Sequence, residues 1–383
     1  MRVNLVHDWL MFRGGAEKVL ESLVELFRPR RIYTLFYEKS LFPGSPISQV
    51  PIVTSFLDHR LFKSRFWHFI PLFPFAMEQF DADGADVLIS CSTCVAKGVL
   101  PKTDQIHICY CNTPMRYAWD LSFDYLGWFG LDRGLKGLLW KVILHYLRNW
   151  DVGSSARVDH FISSSNFVGR RIRKYYRRES TTIYPPCAVE PLKRPVSRGE
   201  HFIFVSRLVP QKRADLAIRA FNELKVPLRV AGEGPLYREL RNLASDHISF
   251  LGYLEDEDLK REIASSRALI FPALEDFGIV PVEAQALGTP VIALGKGGAL
   301  ETVIPPKDGD FSEATGILFE NQDKDSLKEA VRTFMDAEKK FNPLALSKNA
   351  RRFSKNRFAE EMSNFVRRKY EEFREAPIRR PSS

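Results

Sequence analysis

Two glutamates with seven residues between them, Glu275 and Glu283, bracket a glycine in EDFGIVPVEAQALG. The preceding ALIFPA reads as a strand ending at Ala273, and PVEAQALG reads as a short helix. Glu275 and Asp276 then fall at the carboxyl end of a parallel strand, where open α/β sheets hold their ligands. Pro281 suits the first turn of the helix, and Gly288 with Pro290 suits its end. Backbone N–H groups around Gly278 to Val280 would face out at the helix N-terminus and attract an oxyanion. A carboxylate at Glu283 is unsuited to phosphate but suited to the paired hydroxyls of a ribose, and Glu275 can serve a sugar in the same way. An acid opposing the helix dipole would explain one glutamate, but not the pair.

A second group lies upstream. HFIFVSRL reads as a strand ending in Arg207, and Lys212 follows just before a helix. Two cations at such a junction can clamp a diphosphate; on their own they would read as solvated surface charges. Gly14-Gly15 follows the first strand, VNLVH, and opens a helix. Glycines there let backbone N–H groups approach a ligand closely, although a double glycine alone is a weak signal. Cys91-Ser-Thr-Cys94 and Cys109-Tyr-Cys111 invite one test as a zinc site. The second pair has a single intervening residue in a strand-like run and no histidine cluster beside it, so no metal is expected.

The elements that must position these residues alternate along the chain. VNLVH, ADVLIS, QIHICYC and HFISSS read as strands, with helices between them that include AEKVLESLVELF and RGLKGLLWKVILHYLRNW. A proline-rich stretch from Tyr184 to Glu200 reads as a linker. A second alternation follows, in which HFIFVSRL, LRVAG, ISFLG, ALIFPA and PVIAL are the strands. The pattern predicts two consecutive α/β domains, each around a parallel sheet. NRFAEEMSNFVRRKYEEFRE reads as an amphipathic helix before a short polar tail.

A chain of 383 residues is too long for one comfortable core, which agrees with two domains. The formal net charge is +9 and sits mainly in the first half: residues 1–186 hold 24 Lys+Arg against 17 Asp+Glu, and the remainder holds 32 against 30. A basic first half suits an anionic partner, whether a phosphorylated substrate or an anionic lipid surface, or it simply serves solubility. Nucleic acid is not expected, because the basic residues lack interleaved aromatics in a known module. Five cysteines, an odd number, fit a reducing compartment. No apolar run is long enough to span a bilayer, and His7 and Asp8 interrupt the N-terminal run too early for a secretory leader. The expected location is the cytoplasm, either free or peripheral on the inner face of the cytoplasmic membrane.

Arg207, Lys212, Glu275-Asp276-Phe277-Gly278 and Glu283, with GGAEKV, AGEGPL, FLGYL and GKGGALETV, resemble the retaining glycosyltransferases of family 4. HDWL, FDADGADVLISCSTCVAKGV and CYCNTPMRYAWD are more narrowly similar to bacterial mannosyltransferases that build O-antigen or exopolysaccharide. The resemblance implies a GT-B architecture, two Rossmann-like domains facing a central cleft. It places an acceptor-side domain at 1–185, a nucleotide-sugar domain at 186–355, and a helix at 356–383 that crosses back to the first domain. It implies that Arg207 and Lys212 stabilise the leaving diphosphate and that Glu275 contacts the transferred sugar. Glu283 would hold the ribose, with Tyr253 near the base and Phe277, Gly278 and Ile279 beside the sugar. Gly14 and Gly15 would lie against the phosphates, and Asn112 and Arg116 on the sugar and acceptor side. Relatives often carry histidine where this chain has Asn112, which can donate an N–H but cannot shuttle a proton.

The donor implied is a nucleotide sugar, GDP-mannose by the narrower likeness, and no cofactor or metal is implied. The acceptor implied is a saccharide or a polyprenyl-diphosphate-linked one. Two segments suit a membrane surface: the aromatic Phe62–Phe80, and Ser165–Arg178 with six basic residues. A packed helix–loop and a solvated helix face are the alternatives. A UDP-sugar donor, a nucleotide-sugar 2-epimerase of the same architecture and a donor-binding protein without turnover also remain open.

Overall fold

The structure, a computed structural model, describes residues 1–190 and 196–375. Part of the proline-rich stretch, 191–195, and the polar tail, 376–383, lie outside the described residues. The chain forms two compact units, Met1–Pro186 with the chain from Asn356 on, and Cys187–Lys355.

The first unit is built on seven parallel strands: β1 (Val3–His7), β2 (Ile32–Thr34), β3 (Ile52–Thr54), β4 (Val87–Ser92), β5 (Ile106–Cys111), β6 (His160–Ser163) and β7 (Ser180–Thr182). Their order is β3-β2-β1-β4-β5-β6-β7. The chain therefore runs outward from β1 on one side and then restarts at β4 on the other. All residues of β1, β4 and β5 are buried, as expected of strands covered on both faces. On one face Leu5, Ile89, Ile108 and Tyr110 meet Leu20 and Leu23 of the helix Gly15–Phe27. Phe358, Met362 and Val366 of the helix Lys355–Glu375 complete that layer. On the other face Val6 and Leu88 meet Phe66, Ile70, Phe73 and Met77, together with Leu126, Leu144 and Leu147.

The second unit holds β8 (Phe202–Val205), β9 (Leu228–Ala231), β10 (Ile248–Gly252), β11 (Leu269–Phe271), β12 (Val291–Leu294) and β13 (Gly316–Phe319). They are parallel in the order β10-β9-β8-β11-β12-β13, so this sheet also reverses direction, between β8 and β11. Helices Ala214–Leu224 and Lys324–Ala337 cover one face. Ala284 and Ile263 pack on the other. β8 ends at Val205 and β11 at Phe271, each two residues before the ends expected at Arg207 and Ala273, because the chain there already turns out of the ladder. The short strands β2, β3, β7 and β13 carry too few residues to show a period in the sequence.

Candidate active site

In an open parallel sheet the loops leaving the strands part at the point of reversal and open a crevice beyond the carboxyl ends. In the second unit that point lies between β8 and β11, and it receives Ser206–Leu208 and Pro272–Gly278. Neighbouring loops support both through backbone contacts that only glycine permits. A Cβ on Gly232 would lie 2.0 Å from the Ser206 oxygen, and one on Gly234 would lie 2.3 Å from the Leu208 oxygen. Leu208 donates its N–H to the Glu233 oxygen at 2.8 Å. Gly298 donates its N–H to the Glu275 oxygen at 2.8 Å, and a Cβ on Gly298 would lie 2.3 Å from Cα of Phe277. The glycines of AGEG and GKGG thus shape the loops that carry Arg207 and Glu275.

The structure brings Lys212 and Glu275 together. The Lys212 ammonium donates to Glu275 Oε1, and both side chains are partly buried. Lys212 ends a single 3₁₀ turn, Pro210–Lys212, after which Arg213 adopts a left-handed conformation (φ 56°) and opens the next helix. A non-glycine residue in that region stores strain of the order of 1–3 kcal/mol, a frequent companion of functional turns. Arg207 is exposed just beyond β8.

Gly278 is the N-cap of the helix Ile279–Ala286, with φ 88°, a conformation that favours glycine. Pro281 therefore falls third in that helix, still within its first turn. Glu283 lies one turn in and is half-buried. The rear of the helix is fixed by a buried polar network. Gln285 Nε2 donates to the Thr302 oxygen at 2.9 Å, and Asn349 Nδ2 donates to Gln285 Oε1 at 2.6 Å. Phe277 is held edge-on against Phe353 at 5.3 Å between ring centres. Tyr253, in the loop after β10, is 63% exposed, with its ring available for stacking.

The first unit's carboxyl edge is built from side chains instead. Asp8, just past β1, is buried and accepts from the backbone N–H groups of Thr93, Cys94, Val95 and Ala96 at 2.5–3.0 Å, and from Thr93 Oγ1 at 2.8 Å. His7 Nε2 lies 3.2 Å from Glu17 Oε1, while Glu17 Oε2 accepts from the Gly14 N–H at 2.8 Å. Gly14 caps the helix that Gly15 opens, so this buried pair anchors the glycine turn. Burial disfavours a charged imidazole, but hydrogen bonds to Cys91 and Glu17 outweigh it and hold the His7 pKa well above its ordinary value.

Asn112 follows β5 and donates from Nδ2 to the Cys91 sulfur at 3.2 Å, so one of its two amide protons is engaged within the unit. Arg116 lies in the same loop, which Arg171 clamps through the Thr113 hydroxyl and the Asp120 carboxylate. Of the six basic residues at 165–178, Arg170, Arg173, Lys174 and Arg177 are exposed, as a solvated helix face would have them, and the others are engaged within the unit. Arg171 is spent on this loop, Arg173 pairs with Glu179 at 2.7 Å, and Arg178 donates to the Ser155 and Val158 oxygens.

The cysteines are free and buried, and they point into different clusters: Cys91 into one layer, Cys94 into the opposite one, and Cys109 and Cys111 toward Phe161 and Tyr176. Strand alternation puts Cys91 on the opposite face of the sheet from Cys109 and Cys111. No group of three or more His, Cys, Asp or Glu suited to a metal occurs among the described residues.

Sequence reasoning passed over the His7–Glu17 pair, although the signal was present. Glu17 stands three residues after Gly14, the spacing at which a carboxylate reaches back to a helix N-cap.

Residues 193–356 match the model of the family described as glycosyl transferases group 1, nearly the whole second unit. A GDP-mannose-dependent monoacylated alpha-(1-6)-phosphatidylinositol monomannoside mannosyltransferase of Corynebacterium glutamicum is 37% identical over 147 residues, 34% of this chain and 36% of that protein. Alpha-1,3/1,6-mannosyltransferase ALG2 of Mus musculus is 24% identical over 254 residues, 56% of this chain and 59% of that protein. The alignments thus span 36% and 59% of these two relatives' own lengths. A crystal structure of Anabaena Alr3699/HepE in complex with UDP superposes with a TM-score of 0.67 at 16% identity, over 96% of this chain and 99% of that one. That likeness shows the fold. Residues 193–356 thus carry the signature of the glycosyl transferases group 1, and the chain shares the fold of the Anabaena structure.

Proposed function

We propose that this chain is a GT-B glycosyltransferase that moves a mannosyl residue from GDP-mannose, with retention of configuration, to a polyprenyl-diphosphate-linked or saccharide acceptor in cell-surface polysaccharide synthesis, as a family 4 hexosyltransferase. The observation that carries the reading is the meeting of Lys212 and Glu275 at the second sheet's point of reversal, beside a helix headed by Gly278. Mannose and guanosine rest on what the relatives' names say they use.

Negative charge builds on the diphosphate as the bond to the sugar breaks. Arg207, Lys212 and the N–H groups heading the helix at Ile279 offer fixed positive potential to it, which lowers the barrier without reorganisation. These cations supply the counter-charge that the leaving group needs, so no metal or cofactor enters the reading. Glu283 accepts from the ribose hydroxyls, and Tyr253 offers a ring to the base. Glu275, with Phe277, Gly278 and Ile279, is assigned to the sugar. Gly14 and Gly15 are assigned to the donor phosphates, and Asn112 and Arg116 to the sugar and acceptor.

Incubating the full chain with GDP-mannose and a lipid-linked acceptor tests this. The expected result is GDP release matched by an α-linked product, with far less nucleotide released from UDP-sugars. An epimerised nucleotide sugar would make the protein an isomerase. Donor binding without nucleotide release under any acceptor would make it a binding protein.

A further inference from the structure

Large apolar side chains left exposed are unevenly shared between the units. Of 21 such residues among the described ones, 17 belong to the first unit and four to the second. The densest group lies on two consecutive helices, Ser122–Trp128 and Gly134–Ser155. Phe123 is 81% exposed and Phe129 65%; Leu135, Leu138, Leu139 and Val142 are between 58% and 86% exposed. In the longer helix these positions, with Tyr146, recur at three- and four-residue steps and form one stripe. The opposite side buries Leu144, Leu147 and Asp151.

We propose that this stripe is a docking surface for a lipid bilayer containing anionic lipid, on which the helix Gly134–Ser155 lies flat. Three observations choose that occupant. First, Lys136 and Lys141 are exposed and flank the stripe, roughly 100° to either side of its centre at 100° per residue, where their stems can lie along the apolar phase and their ammonium groups reach headgroups. Second, aromatic rings at Phe123, Trp128, Phe129 and Tyr146 mix with the aliphatic side chains, a composition that settles at an interface. Third, no helix of the described residues is long and apolar enough to cross a membrane, so the stripe fits a surface rather than a span. A second copy of the chain is a poorer occupant, because a two-fold contact would bring the lysines of both stripes together. Exposed carboxylates nearby are Asp124 and Asp132, and the latter pairs with Arg133 at 3.3 Å. The first unit's surplus of basic residues favours the same anionic partner.

The surface differs from the segments that the sequence suggested. Phe62–Phe80 is divided: Phe66, Ile70, Phe73 and Met77 are buried in the core, while Trp67, Leu72 and Phe75 remain exposed. The inference rests on the proposed reading only for its purpose, which is delivery of a lipid-linked acceptor. Vesicle binding reports on the surface whether or not a sugar is transferred.

The test is co-sedimentation of the full chain with phosphatidylcholine vesicles, with or without 30% phosphatidylglycerol. The chain should bind the anionic vesicles, weakly bind the neutral ones, and lose binding as salt is raised. Leu135→Ser, Leu138→Ser and Leu139→Ser combined should weaken vesicle binding at least tenfold, while the thermal shift given by GDP-mannose stays as in the parent. Lys136→Glu with Lys141→Glu should abolish the preference for anionic lipid, a readout that survives if the triple variant fails to fold. Undiminished binding by a folded triple variant, or by the double lysine variant, would overturn the proposal. So would a parent that ignores vesicles but runs as a dimer which the serine changes dissociate, since the stripe would then join two copies.

Discussion

The carboxyl edges of the two sheets are made from different materials. In the second unit, glycines let one loop's backbone rest on the next, as Gly232 does on Ser206 and Gly298 on Phe277. In the first unit, buried charged side chains tie the loops: Asp8 gathers four backbone N–H groups, and Glu17 joins His7 to Gly14. A backbone lattice holds its loops without drawing on the charged side chains at its rim, where Lys212 and Glu275 meet each other. A side-chain lattice consumes its charges in holding the loops. The presence of a charged residue at a strand end is therefore a poor guide to binding until its partners are known.

The sharpest break in this comparison is Asp8→Ala. It would leave four backbone N–H groups without their acceptor in a buried turn, at about 1–3 kcal/mol for each that water does not reach. Chemical denaturation should show a loss of about 3 kcal/mol or more, with any remaining folded protein still binding nucleotide. A loss under about 1 kcal/mol would mean that the turn finds other acceptors.

Lys212→Ala probes the opposite edge and should leave stability nearly unchanged while turnover collapses. Removing a donor to a developing oxyanion costs roughly 2.7–4 kcal/mol of barrier, a fall of about a hundred- to a thousandfold. Lys212→Arg should restore only part of it, because a planar fork does not replace a compact ammonium. GDP release at saturating donor is the measurement. Unchanged turnover would assign the Lys212–Glu275 pair to structure alone.

His107 tests the first unit's polar interior through pH. Burial pushes its imidazole down to about 4, opposed by a hydrogen bond to the Arg157 oxygen and assisted by the charge on Lys97. Its Nε2 lies 2.8 Å from the Ser90 hydroxyl. Below its ordinary value of about 6.5 the unfolded chain takes up a proton that the folded chain refuses. Stability should be full above about pH 6.5 and fall by about 3 kcal/mol as pH drops to about 4. His107→Gln should flatten that slope. His7 titrates in the opposite sense: its contribution is complete below about 6.5 and fades as pH rises through its raised folded value. The two are therefore separable in a pH series of unfolding midpoints.

Gly298→Ala extends the comparison to the backbone lattice. The new methyl would press on Cα of Phe277, where no side chain can step aside. Overpacking of this kind costs about 1–3 kcal/mol. The melting temperature should fall and the thermal shift given by GDP-mannose should shrink. Gly14→Ala should do less, since its Cβ would meet only the Glu17 carboxylate at 3.3 Å.

The smallest effect belongs to Asn112. Asn112→Ala should cost about 0.5–1.5 kcal/mol, the worth of a neutral hydrogen bond. The bond to the Cys91 sulfur is one candidate for that loss, and a contact to the sugar is the other. Stability and KM measured together separate them, because loss of the sulfur contact lowers only the unfolding midpoint.

Much of the fold was legible in the sequence. The helix Ala214–Leu224 and the strand β1 stand where the apolar pattern placed them, because a half-buried helix and a fully buried strand each write their environment into the spacing of apolar residues. The glycine before Ile279, the proline in that helix's first turn and the glycine after its end were readable because each meets a local backbone demand. Of the residues that the family resemblance grouped, Arg207, Lys212, Glu275 and Glu283, the structure pairs Lys212 with Glu275.

Tertiary structure decided how those charges are spent. Lys212 and Glu275 lie 63 residues apart in the chain, and only the point of reversal between β8 and β11 makes them a pair. The six basic residues at 165–178 looked alike in sequence, yet Arg171 and Arg178 are taken up by loops that pack against them. The helix Gly134–Ser155 is apolar on two sides, and its sequence alone does not say which side the sheet covers. The sheet covers the side with Leu144 and Leu147 and leaves Leu135, Leu138 and Leu139 in solvent. Local pattern reports what a residue needs. Which of several suitable partners it meets depends on the order of the strands, which no short stretch of sequence contains.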